Sequence, residues 1–374
     1  MKLIFYLHHP AQFHMFKHII DKLKPLHEIL ILATKKDVLE NLLQERKLNY
    51  INVLPEGRKD NKLSIAIGLL KQDIRLFKIC RKYKPDLLIG TSTEITHIGK
   101  LLGIKSLFFI EDDIKVVPLV GILAHPFASY IISPSVCDNG KWNKKTIKYL
   151  GYQKLAYLHP SVFKPDRNLV DNKFNSDKPI FMIRLSKLGA HHDSGISGIS
   201  KALLLKIVDI LKQKGNILIS SESTLPDEFS EYKINININD IHHYLSFSDL
   251  LISDSQSMSV EAAMLGTPSI RISSFSGKIS VLEELEHNYH LTFGIQPEKE
   301  EYIIKKVTEI IGSKSLKQDF KKLKIKMLSE KINVTEFISW LIDHFPESIT
   351  AFKNNPDIQN NFKTPIKDLE TTYN

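Results

Sequence analysis

SDLLISDSQSMSVEAAMLGTPSIR, residues 248–271, decides how this chain is read. An apolar run of strand length, DLLIS, enters a turn of small polar residues from Ser253 to Ser257. A helical pattern opens at about Met258 and stops at Gly266, ahead of Thr267, Pro268 and a second apolar run. A helix start presents unpaired N–H groups and a partial positive charge, and small hydroxyl residues let a phosphate come close. The segment around Ser255, Gln256, Ser257 and Met258 is therefore expected to hold a diphosphate. Glu261 lies one turn further in, where its carboxylate can accept hydrogen bonds from two vicinal ribose hydroxyls. The competing reading has Asp254 or Ser255 capping the helix and Glu261 supporting its first turn.

The same grammar extends in both directions. LIFYL (3–7), EILILA (28–33), YINVL (50–54), DLLIG (86–90), SLFFI (106–110) and YIIS (130–133) are strand-length apolar runs separated by segments with apolar residues three and four apart. Such alternation predicts a parallel sheet with helices on both faces. HPSVFKPDRNLVDNKFNSDKP (159–179) interrupts it with a linker composition. A second set follows: PIFMIRL (179–185), NILISS (216–221), KINI (233–236), DLLISD (249–254) and PSIRIS (268–273). The expected domains are 1–158, a linker at 159–178, a second domain at 179–345, and a loosely held tail at 346–374. The expected fold class is α/β, with two doubly wound Rossmann-like domains whose strand ends face a central cleft.

Composition narrows the classes. A length of 374 residues suits two domains, and 43% hydrophobic with 25% charged residues is ordinary for a globular chain. Cys80 and Cys137 are the only cysteines, which fits a reducing compartment and supplies no metal site. The opening apolar run stops at His8 without a signal-peptide pattern, and no run approaches a membrane span, so a cytoplasmic protein is expected. The net charge of +9 is spread over amphipathic segments such as 305–331. These read first as solvated helix faces and second as attraction to an anionic ligand or to an anionic membrane at its inner face. No zinc-finger spacing, ribonucleoprotein motif or aromatic-interleaved basic ribbon points to nucleic acid.

The 253–268 segment resembles the donor-binding strand-turn-helix of the GT-B superfamily, which includes UDP-N-acetylglucosamine 2-epimerases and the N-acetylglucosamine transferases of cell-wall synthesis. In the epimerase pattern the turn is Asp-Ser-Gly-Gly followed by Glu-Glu-Ala. Here Asp254, Ser255, Gln256 and Ser257 are followed by Val260 and Glu261, so only the second glutamate is present. HHPAQFHMF (8–16), GYQKLAYLHP (151–160), IRLSKLGAHHDSGISGIS (183–200) and IHHYL (241–245) further resemble an uncharacterised bacterial and archaeal GT-B-like family from surface-polysaccharide gene clusters.

That resemblance implies roles for other residues. Aligning the first helix starts puts His14 on the loop histidine of the cell-wall transferases, with His9 beside it, as a base toward an acceptor hydroxyl. The competing reading is that these histidines bond loop backbone. Arg184 matches the arginine of a His-Arg pair that faces the diphosphate in the epimerases, with Ile183 replacing the histidine; a structural salt bridge competes. Glu111, Asp112 and Asp113 end a strand, so Asp112 and Asp113 are candidate acid or base groups. Ser220, Glu222, Ile241 and His242 are placed to surround the base and ribose, and Lys278 to border the donor. His191, His192 and Asp193 invite a metal reading, but adjacent side chains rarely converge on one ion and no metal is expected.

The function implied is transfer of a sugar from a nucleotide donor, UDP foremost, to a glycan or lipid-linked acceptor, with no cofactor. A 2-epimerase-like isomerase and a non-catalytic nucleotide-sugar-binding protein are the alternatives.

Overall fold

The computed structural model describes residues 1–34, 38–56, 62–171, 178–186, 198–234, 236–237 and 239–373. The chain forms two compact units: Met1–Val162 with Lys331–Lys363, and Phe163–Glu330 with Thr364–Asn374.

Unit 1 is built on a parallel sheet of seven strands: β1 (Lys2–Leu7), β2 (Glu28–Thr34), β3 (Tyr50–Leu54), β4 (Leu87–Gly90), β5 (Lys105–Phe109), β6 (Tyr130–Pro134) and β7 (Thr146–Tyr149). Their order is β3-β2-β1-β4-β5-β6-β7, so the chain winds outward from β1 in both directions. Leu3 to Leu7 are 0% exposed because helices cover both faces of this strand. The helix Pro10–Leu23 starts on a proline at its first position and buries Phe13, Phe16, Ile19, Ile20 and Leu23, the three- and four-residue spacing of one face.

Unit 2 carries five parallel strands: β8 (Ile180–Leu185), β9 (Asn216–Ser221), β10 (Leu250–Ser253), β11 (Ser269–Ile272) and β12 (Phe293–Ile295), ordered β12-β11-β10-β8-β9. One sheet face buries Phe181, Ile183, Ile252 and Ile270 with Ile207 and Ile303 of the helices Lys201–Leu211 and Glu300–Gly312. The opposite face carries Arg184, Ser253 and Arg271 near the carboxyl ends of the strands.

Several expectations are corrected. Of KINI, Lys233 makes only an isolated bridge to Ile219 instead of a strand ladder, and Asn235 lies outside the described residues. Alternating Ile and Asn supplies too little apolar surface to bury two faces. Strands β7 and β12 were not anticipated. Residues 346–373 are not loose, since they hold helices at Glu347–Asn354 and Ile366–Tyr373 and a 3-10 helix at Pro356–Phe362. Ile349, Phe352 and Leu369 are buried there, and Gln359 accepts a hydrogen bond from the Leu150 N–H at 2.7 Å. The linker span contributes Phe163 and the short helix Asn168–Asp171 to unit 2, where the Asp166 N–H donates to His243 Nδ1 at 2.9 Å. Among the described residues, no helix is long and apolar enough to cross a membrane.

Buried imidazoles couple unit 1 to pH. His125 is 0% exposed with its ring 5.8 Å from Phe108, and burial, then Lys145, pushes its pKa down to about 4. Burial does the same to His159. Their folded pKa values lie below the unfolded value near 6.5. The unfolded chain then binds more protons between these limits, and stability falls as pH drops from about 6.5 to 4. Each unit of such a difference is worth about 1.4 kcal/mol. His125→Phe is expected to flatten this acid limb, measured by urea unfolding at pH 7 and pH 5; an unchanged difference between the two pH values would refute the coupling.

Candidate functional site

The carboxyl edge of the unit 2 sheet is organised by register. Ser220 pairs with Arg184, Arg184 with Ser253, Ser253 with Arg271, and Arg271 with Gly294. Paired positions of parallel strands project to the same face, so these residues form one transverse row. The row ends at a glycine for a steric reason: a Cβ on Gly294 would lie 2.6 Å from Arg271 Nη2 and 2.7 Å from Glu286 Oε2.

Arg184 lies between Ser253 and Ser220 in this row. Its Nη1 donates to Ser220 Oγ at 2.7 Å and its Nη2 to Glu222 Oε1 at 2.7 Å. Its Nε is buried without a hydrogen-bond partner among the described residues. The salt bridge that competed with the phosphate role is thus formed, but Glu222 is 52% exposed in its side chain. An exposed carboxylate contributes little net energy to such a pair and is displaceable by a more strongly charged anion.

The decisive helix spans Gln256–Leu265, starting two residues earlier than expected. Ser255 is its N-cap, with Oγ accepting from the Met258 N–H at 3.4 Å, so the capping reading applies to Ser255. Asp254 instead accepts from Ser186 N–H at 2.7 Å and from Ser186 Oγ at 2.8 Å, and burial raises its pKa despite these donors. Ser257 is exposed. The helix ends at Gly266 with φ 77°, left-handed backbone next to Lys324, whose Nζ donates to the Leu265 carbonyl at 3.0 Å.

Gln256 is held from behind: Arg271 Nη1 donates to its Oε1 at 2.8 Å, and its Nε2 donates to Ser273 Oγ at 2.7 Å. Arg271 is 0% exposed and faces Glu283 at 3.7 Å and Glu286 at 3.8 Å. Enclosed by these groups, it anchors the helix start rather than offering a ligand surface. Sequence reading passed over Arg271; its signal is a lone guanidinium inside the apolar run PSIRIS.

Glu261 Oε1 lies 3.4 Å from His242 Nε2, with side-chain exposures of 12% and 5%. The structure therefore brings together these two expected residues, and separately Arg184, Ser220 and Glu222. Ile241 is half-buried at the start of the helix Ile241–Phe247. Lys278 is exposed, with Nζ 5.6 Å from the Phe275 ring centroid. Lys187, His191, His192, Asp193, Ser194 and Gly195 lie outside the described residues. Among the described residues, no group of three or more His, Cys, Asp or Glu side chains is placed to hold a metal ion.

In unit 1, His9 Nδ1 accepts from the Ala11 N–H at 3.2 Å and caps the first helix, the backbone-bonding role weighed against a catalytic one. His14 is 7% exposed, its ring centroid 5.5 Å from that of Tyr157. Asp113 is buried and accepts from the Asp138 N–H at 2.7 Å, while Glu111 holds Gln153 N–H at 2.6 Å and Lys154 Nζ at 2.8 Å. Asp112 is the exposed member of the trio. Glu94, also unanticipated, is 7% exposed in the first turn of the helix Thr93–Leu102, and burial pushes its pKa up to about 7, with Asp73 adding. A carboxyl shifted that far is a candidate for proton transfer.

Residues 3–331 match the family described as "Protein of unknown function (DUF354)". No curated protein matches the chain in sequence. Among solved structures, a putative UDP-N-acetylglucosamine 2-epimerase from Listeria monocytogenes is similar with a TM-score of 0.67 at 14% identity, covering 93% of this chain and 97% of that one. UDP-GlcNAc 2-epimerase from Neisseria meningitidis, solved with UDP-GlcNAc, has a TM-score of 0.63 at 14% identity, covering 94% and 100%. Acinetobacter baumannii MurG has a TM-score of 0.58 at 14% identity, covering 91% and 99%. At these identities the likeness is one of fold, and the fold is a GT-B-like pair of Rossmann-like α/β units.

Proposed function

The chain belongs to the DUF354 family, and on that premise we propose that it is an enzyme acting on a UDP-linked N-acetylhexosamine bound at the carboxyl edge of unit 2. The observation that carries this is the register row, which sets Arg184 two strands from Arg271 and beside the Ser255-capped start of the helix Gln256–Leu265. A diphosphate placed there meets helix N–H groups and one guanidinium. Glu261 takes the ribose hydroxyls, its carboxylate oriented by His242. The likeness in fold to UDP-GlcNAc 2-epimerases favours isomerisation at the sugar over transfer. Glycosyl transfer is the second reading, favoured by one observation: Ile183, at the place of the epimerase histidine, is 0% exposed in the apolar core.

Incubating the pure protein with UDP-sugars tests both. A new sugar or epimer without acceptor supports isomerisation, UDP released only with acceptor supports transfer, and a melting temperature unmoved by any nucleotide diphosphate at millimolar concentration overturns the site itself.

Two substitutions test the roles. Glu261→Gln keeps the shape but removes the charge, and is expected to weaken UDP binding about ten-fold to a hundred-fold, since charge-assisted hydrogen bonds are worth roughly 1.5 to 3 kcal/mol. Calorimetric titration that gives equal affinities would sink the ribose role. His14, proposed as the proton-transfer group of unit 1, is expected to lose turnover on replacement by Ala with UDP affinity within about two-fold of wild type. Retained turnover would remove His14 from the mechanism.

A further inference from the structure

We propose that one face of unit 1, formed by the helices Lys62–Tyr83 and Thr93–Leu102 with the turn at Phe127, docks on an anionic lipid surface. Ile67, Leu70 and Ile74 recur at three and four residues along the first helix and are 46%, 60% and 48% exposed. Leu101 on the second helix is 69% exposed and Phe127 41%. Leu70, Ile74, Leu101 and Phe127 line an open groove of ≈ 690 Å³. An apolar patch of this kind on a charged surface marks an interaction site.

Charge selects the occupant. Lys78 and Arg81 are exposed along the same helix, Lys71 is paired with Glu56 at 3.6 Å, and Lys100 lies in the groove lining itself. Beside Phe127, Lys145 Nζ is already taken up by the Ala128 carbonyl at 2.9 Å. Of the carboxylates on or beside these helices, Asp73 lies 3.0 Å from His97, Glu56 lies 2.9 Å from Arg75, and Glu94 is buried. Apolar side chains flanked by the exposed Lys78, Arg81 and Lys100 match acyl chains beneath anionic headgroups, because each lysine or arginine near such a surface is attracted and each apolar side chain gains by leaving water. This face shares no residue with the nucleotide site proposed for unit 2.

The test is flotation of the full chain with vesicles of phosphatidylcholine, with and without phosphatidylglycerol. Binding is expected only to the acidic vesicles and is expected to weaken with salt. Leu70→Ser with Leu101→Ser should weaken it at least about ten-fold, and Lys78→Gln with Lys100→Gln by about five-fold per lysine. These side chains are exposed, so melting temperatures should hold; Leu101→Ser alone serves if the pair misfolds. No binding to acidic vesicles, equal binding to neutral ones, or variants that bind like wild type would overturn the proposal. So would a dimer in sedimentation equilibrium that the apolar substitutions dissolve, since a second copy would then cover the face.

Discussion

Arg271→Met is expected to destabilise unit 2 by about 3 to 5 kcal/mol, the usual cost of removing one partner from a buried ionic cluster. The guanidinium is fully enclosed, and burial lowers its pKa even with Glu286 and Glu283 opposing that shift. Its removal leaves two partly buried carboxylates without their cation and Gln256 Oε1 without its donor. The penalty lies in the carboxylates left behind rather than in lost attraction. Adding Glu286→Gln to Arg271→Met should therefore recover part of the loss, since one stranded charge is gone. Urea unfolding of the single and double variants decides it, and a loss below about 1 kcal/mol in the single variant would mean that water already reaches the cluster.

Arg271 also shows where sequence reading stopped. PSIRIS was recognised as a strand because its apolar residues dominate, and the strand is there. What the run does not display is that its charged residue pairs with Glu283 and Glu286 of a later helix, a contact that local periodicity cannot encode. The long apolar runs were legible for the complementary reason: a strand covered on both faces needs no distant partner to declare itself. Strand β7, TIKY, alternates polar and apolar residues at a sheet edge, and β12 has only three residues at another edge, so neither shows a continuous apolar run.

The carboxyl-terminal residues failed differently. Ile349, Phe352 and Leu369 are isolated in a polar composition, so no amphipathic face is visible over their short helices. They are ordered by distant groups, among them Leu150, whose N–H bonds Gln359, and Lys363, which bridges to Ile332. In the candidate site, hydroxyl and carboxylate residues at strand ends were found by type, and Ser220 and Glu222 meet Arg184 as a group. His9 and Asp113, chosen by the same reasoning, turned out to bond backbone N–H groups, because a strand-end loop needs such fasteners as much as an enzyme needs ligands.

Arg184→Gln is expected to weaken UDP binding about ten-fold to a hundred-fold, from the loss of charge-assisted hydrogen bonds to phosphate oxygens. Its present partner makes the test two-sided. Glu222 accepts from Nη2 at 2.7 Å with its carboxylate half in solvent, so a bound diphosphate and Glu222 compete for the same guanidinium. Glu222→Gln removes the competing charge and is expected to leave UDP affinity unchanged or raise it several-fold. A purely structural salt bridge predicts another pattern: both substitutions cost at most about 1 kcal/mol of stability, as exposed pairs do, and neither alters affinity. Ser220→Ala supplies the control, since it loosens Arg184 without changing charge and should weaken binding by less than Arg184→Gln. Calorimetric titration of UDP into the three variants separates these outcomes, and an Arg184→Gln protein that binds UDP like wild type would remove the diphosphate from this strand end.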